Sequence, residues 1–150
     1  MSPLTDHPAE LMELWRQVSQ EMHERFRPIF QELMLPPLAP ILLKEICEEP
    51  GITVSALARR TGIAKSHVSR MVDTMAAKGC LTKESDPQDQ RLVRVFPTAQ
   101  AVRRQKELDD RLAASWAEVT AGLSPAEVVS VINGLRTLLT ALRRTKSRQN

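Results

Sequence analysis

The chain of 150 residues has no tyrosine, only three phenylalanines and two tryptophans, and just two cysteines. So little aromatic bulk leaves Leu, Val, Ile, Met and Ala to fill a core. Cys47 and Cys80 make neither a CxxC nor a metal-ligand spacing. His7, His23 and His67 are scattered, with no HxxxH and no His/Cys cluster, so no metal site is expected. There is no Gly-rich phosphate loop, no nucleophile elbow and no group of clustered carboxylates. An enzyme is therefore the least expected class, and neither catalytic residues nor a cofactor are expected. No apolar run reaches the length of a membrane span, and no secretory leader pattern is present. The expectation is a soluble protein of a reducing compartment, the cytoplasm.

An excess of one sign of charge is also small overall, with 21 Lys/Arg against 18 Asp/Glu for a net +3. Its distribution says more. Residues 53–96 hold eight Lys/Arg against four Asp/Glu, and the rest of the chain holds thirteen against fourteen. The positive charge gathers on one segment, as a phosphate-binding surface requires. A merely solvated basic face is the plainer alternative.

That segment has a pattern of its own. Thr53 can cap a short helix whose inner face is Val54, Leu57 and Ala58. Thr61-Gly62 breaks it, with Gly62 able to take a positive φ in a tight turn. A second helix is expected from about Lys65 to Lys78, with Val68, Met71, Val72 and Met75 as its buried stripe. Its other face carries Lys65, Ser66, His67, Ser69, Arg70 and Asp73, side chains that reach base edges and phosphates. Gly79 ends it as a C′ glycine. Two strands, Leu81–Glu84 and Arg91–Phe96, flank a loop of turn residues, 85–90. The outline is a winged helix-turn-helix that reads double-stranded DNA.

The wing DPQDQR, after a helix ending in AAKGCL, resembles that of the multiple antibiotic resistance regulator (MarR) family, whose D-x-R signature is matched by Asp89 and Arg91. TVSALARRTGIAKSHVSRMVDTMAAKG is similar to the DNA-binding helices of that family, and Thr98 resembles the start of its long fifth helix. Two positions depart from the family pattern: Ala64, where a capping residue is frequent, and Ala101, where glycine is frequent. Ala64 weakens the helix start by up to about 1 kcal/mol. The resemblance implies homodimers joined by N- and C-terminal helices. It also implies an effector pocket for small aromatic or anionic molecules, lined from the first, second and fifth helices.

The flanks fit such a plan. Residues 1–8 read as a frayed start. Leu11, Trp15, Val18, Met22, Phe26, Ile29 and Leu33 then mark a long amphipathic helix from Ala9 to about Leu35, with a kink or split expected at Pro28. Pro36, Pro37 and Pro40 introduce a helix over Ala39–Cys47, closed by Glu49-Pro50-Gly51. A helix from Thr98 to about Ala121 shows Val102, Leu108, Leu112, Trp116 and Val119. Gly122 ends it, and Ser124-Pro-Ala-Glu127 is a capping box for the last helix. A basic tail, 143–150, is expected to be disordered. The fold class is thus mainly α with a small β-hairpin wing. Residues 1–35 form an N-terminal dimerisation helix, 36–97 the winged helix-turn-helix, and 98–150 the C-terminal dimerisation helices and tail. The outer helices carry more apolar stripe than one module can cover, and a second copy would bury it.

Expected DNA contacts follow. Ser66, His67 and Arg70 would meet base edges, with Arg70 equally able to hold a phosphate; Ser69 shares their face. Lys65 would hold a phosphate, as would Lys83 and Arg94 on the wing, and Ser55 with nearby backbone amides. Arg91, oriented by Asp89, suits a narrow minor groove, and a hairpin salt bridge between the two is compatible with that role. Cys47 and Cys80 would pack as small hydrophobes. The expected function is a homodimeric, sequence-specific transcriptional regulator, a repressor released by a small effector. The rivals are an architectural DNA binder without sequence preference, and a helical protein-interaction subunit.

Overall fold

The structure, a computed structural model, describes residues 7–34, 36 and 38–147. Most of the expected frayed start and the last three residues of the tail lie outside the described residues. In order, the elements are α1 (His7–Glu32), α2 (Ala39–Glu48), β1 (Ile52–Thr53), α3 (Val54–Thr61), α4 (Lys65–Ala77), β2 (Leu81–Ser85), β3 (Val93–Pro97), α5 (Ala99–Ala121) and α6 (Pro125–Ser147). The described residues fall into two compact units that divide between Leu112 and Ala113.

In the first unit the core gathers around the two short helices of the basic segment. Leu42, Leu43 and Ile46 of α2, Leu57 of α3, Val68 and Val72 of α4, and Val95 of β3 are closed to solvent. Each lies on the apolar stripe that its element's period demands. Cys80 joins this core and Cys47 packs at its edge. Burial, and next the charge of Asp109, push the Cys47 thiol pKa up, which disfavours the thiolate form.

The caps explain where these helices start and stop. Thr53 Oγ1 accepts the Ala56 N–H at 3.1 Å and opens α3. Gly62, at φ +71°, closes it. Gly79, at φ +74°, closes α4: its N–H bonds the Ala76 carbonyl at 3.0 Å and the Cys80 N–H bonds that of Met75 at 2.9 Å. This is a Schellman motif, and it turns the chain sharply into β2.

β2 and β3 pair antiparallel, from Leu81 opposite Pro97 to Ser85 opposite Val93. The hairpin is longer on its first strand and shorter on its second than expected. Arg91 and Leu92 lie in the turn, not in the strand. A third strand, β1, pairs with β3 on its other edge, Ile52 opposite Val95. Two residues are too short a run to announce a strand by alternation.

Three further expectations differ. α1 is one helix through Pro28, so it is not split into two segments there. α6 continues to Ser147, so the first part of the expected disordered tail is helical. On α5 the buried face is Ala101, Gln105 and Leu108, whereas Val102, Trp116 and Val119 are exposed. One position along a helix is a rotation of about 100°, so Val102 points well away from the core that Ala101 enters. In the second unit the capping box forms as expected. The Glu127 carboxylate accepts the Ser124 N–H at 2.7 Å, and the Ser124 hydroxyl accepts the Glu127 N–H at 3.2 Å.

Candidate nucleic-acid interface

The sequence of α4 forces one face inward through Val68, Val72 and Met75. The same period turns Lys65, Ser66, His67, Ser69, Arg70 and Asp73 outward, and all six are exposed. Among the described residues no carboxylate lies within ion-pair distance of Lys65 or Arg70. His67 and Arg70 also border a cavity of about 330 Å³ beside Met71 and Pro36. Ala64 is extended, at φ −55° and ψ 134°, and offers no side-chain cap. The first amides of α4 therefore have no side-chain partner from it. Ser55 sits half-buried in the first turn of α3.

The wing carries the other expected contacts, and here the structure distributes roles differently. The Asp89 carboxylate accepts the backbone N–H of Arg91 at 3.0 Å. It does not hold the guanidinium, so it shapes the turn instead. Arg91 is exposed at the tip, and no carboxylate among the described residues pairs with it. The carboxylate–guanidinium bond of the wing is Asp86 with Arg94, at 2.6 Å. Arg94 also donates to the Gly51 carbonyl at 2.8 Å. Lys83 pairs with Asp73 of α4. Arg94 and Lys83, both expected on phosphates, are thus engaged within the protein.

Asp86 was not singled out by sequence reasoning, although an Asp-Pro opening a run of turn residues is the signature of an Asx turn. Its Oδ1 accepts the N–H groups of Gln88 at 2.8 Å and Asp89 at 3.1 Å. The Gln88 amide, then Arg94, then the Asp89 amide hold its pKa below the usual carboxylate value. A second unforeseen device lies behind α3. Arg60 pairs with Glu49 and, at 3.5 Å, with Glu45, fastening α3 to α2 and raising the Arg60 pKa.

Apart from these elements, a groove of about 680 Å³ opens along α1 and the start of α2. Met22, Phe26, Phe30 and Ile41 make it apolar, and His23 and Arg27 stand at its border. Among the described residues no group of three or more His, Cys, Asp or Glu is placed to hold a metal. No helix there is long and apolar enough to cross a membrane.

The sequence pattern of the MarR family matches residues 35–92, which run from the approach to α2 to the wing tip. None of the curated proteins matches the chain. Solved structures do. A MarR family protein from Bacillus stearothermophilus is 24% identical with a TM-score of 0.83, over 95% of this chain and 99% of that one. A mutant MarR from E. coli complexed with operator DNA is 22% identical with a TM-score of 0.75, over 92% and 99%. The PcaV transcriptional regulator from Streptomyces coelicolor, in complex with its natural ligand, is 24% identical with a TM-score of 0.70, over 95% and 98%. The chain thus carries a segment, residues 35–92, that matches the MarR family, and over nearly its whole length it is similar in fold to these solved structures.

Proposed function

We propose that the chain acts as a homodimer that reads a near-palindromic operator and represses transcription until a small molecule releases it. The observation that carries the reading is the pairing of two exposed cationic elements on one module. α4 presents Lys65 and Arg70 beside Ser66, His67 and Ser69, and the wing tip presents Arg91. A helix of that composition fits a major groove, and an arginine at a wing tip fits the adjoining minor groove. Ser55 and the uncapped amides of α4 would meet phosphates.

Support for a dimer comes from what single-chain folding leaves uncovered. On α1, Leu11, Leu14, Trp15 and Val18 are each more than half exposed. On α6, Val129, Leu135 and Leu142 are likewise more than half exposed. Apolar faces of that extent call for a partner, and a second copy supplies a matching one. Two recognition helices would then meet half-sites about 10 bp apart or a multiple of that. The groove along α1 and α2 suits a small apolar or aromatic anion, with Arg27 as its counter-charge. A ligand preferring one dimer geometry would change the spacing of the two readers.

The test is selection from random duplex DNA at physiological salt. A recovered palindrome with half-sites one turn apart is the expected result. Retention without a motif would favour an architectural binder, and no retention at all would overturn DNA reading.

A further inference from the structure

The wing tip is a closed ring of hydrogen bonds. The Asp86 N–H bonds the Leu92 carbonyl at 2.9 Å, and the Leu92 N–H bonds that of Asp89 at 2.9 Å. Asp86 Oδ1 gathers the amides of Gln88 and Asp89, and Asp89 Oδ1 takes the amide of Arg91. One side chain ties this ring to the rest of the module. Arg94, on the middle strand β3, gives its Nε to Asp86 Oδ2 and its Nη1 to the Gly51 carbonyl. Gly51 returns its own N–H to the Val95 carbonyl at 2.8 Å. It lies two positions before Thr53, which caps α3. Two residues of β3 thus hold Gly51 from both sides, and one of them also holds the wing tip.

We infer that Arg94 is a positioning residue: a brace between Asp86 and Gly51 that sets where the wing tip carries Arg91 relative to the recognition helix. This rests on the reading of Arg91 as a DNA contact. The guanidinium is the side chain suited to the task, because its planar fork bonds two acceptors at a fixed angle. A lysine ammonium brings the same charge but not that two-point geometry. Asp86 is buried, and its Oδ2 faces Arg94 while Oδ1 faces the turn amides, so the carboxylate is filled on both sides. A bare arginine waiting for phosphate would need no such partner.

The two roles differ under Arg94→Lys. A phosphate contact survives the exchange in large part, because the charge stays. A brace does not. The experiment measures affinity for the selected duplex, and its salt slope, for the wild-type chain, Arg91→Ala, Arg94→Lys and the double variant. Trypsin cleavage after Arg91 without DNA and the thermal midpoint are followed alongside. Arg91→Ala is expected to weaken binding about tenfold or more. Arg94→Lys is expected to weaken it roughly threefold or more, with little further loss in the Arg91→Ala background. It should also open the wing tip to trypsin. Asp86→Asn, which keeps Arg94 itself, should do the same.

If Arg91→Ala costs nothing, the reading of the interface fails. If it weakens binding but Arg94→Lys is silent, or its loss adds in full to that of Arg91→Ala, the brace alone is overturned. Loss of affinity with unchanged tryptic cleavage would overturn it as well.

Discussion

Lys83, on β2, carries its ammonium back to the carboxylate of Asp73 on α4. Both belong to the polar surface on which DNA contacts are expected, and they answer each other instead. The pair neutralises one cation of the wing and ties the hairpin to α4. Both side chains are substantially exposed, so the bond is weak in free energy and adds little to stability.

The consequence is for DNA rather than for folding. Asp73→Asn leaves Lys83 without its partner and removes a negative charge from the reading face. Duplex affinity is expected to rise at low salt, with a salt slope steeper by up to about one phosphate contact. Lys83→Ala is expected to lose less affinity than Arg91→Ala. Titrations at several salt concentrations check both, and a weaker Asp73→Asn complex would show that Asp73 itself serves recognition.

Leu57 supplies the hinge of the core. It sits on α3 with no exposure, in the same cluster as Ile46, Val68 and Val95. Leu57→Ala opens a cavity where four elements meet and is expected to cost about 2–5 kcal/mol. Urea unfolding measures it. A loss of well under about 1 kcal/mol would mean that the helices are not packed as described.

Acid should loosen the module in a defined way. The turn amides and Arg94 hold the Asp86 pKa below its ordinary value, and the Ser124 amide, then its hydroxyl, does so for Glu127. A value lower in the folded state means that the stabilisation is complete above the ordinary carboxylate range. It is lost as pH falls through that range toward the folded value. The thermal midpoint is expected to drop below about pH 4.5. Asp86→Asn with Glu127→Gln should flatten that drop. A profile unchanged by the double variant would assign the acid sensitivity to other carboxylates.

Much of this was legible in the chain. The caps at Thr53, Gly62, Gly79 and Ser124, and the stripes of α3 and α4, are local signals with one structural answer. What escaped was set by neighbours. β1 exists because β3 lies beside it. The outward turn of Val102 follows from Ala101 filling the core. Arg94 looked free because its two acceptors, Asp86 and Gly51, come from the wing turn and from the chain before β1. The cations of the wing, read one at a time, are alike; only their partners separate Arg91 from Arg94 and Lys83.

Ala64 brings the local and the functional together. It stands at the N-cap of α4 with extended backbone angles, yet has no side chain to meet the first amides. A serine there fits the same angles, and its hydroxyl would accept the Ser66 N–H, the His67 N–H being bonded already to the residue 64 carbonyl at 2.9 Å. Ala64→Ser is therefore expected to raise stability by about 1 kcal/mol, read from the urea midpoint at unchanged slope. DNA binding should move the other way. Amides already bonded to a serine are no longer open to a phosphate, so affinity falls while stability rises. Stability and affinity rising together would instead mean that the start of α4 needs order more than open donors, and that the phosphate belongs to Lys65 alone.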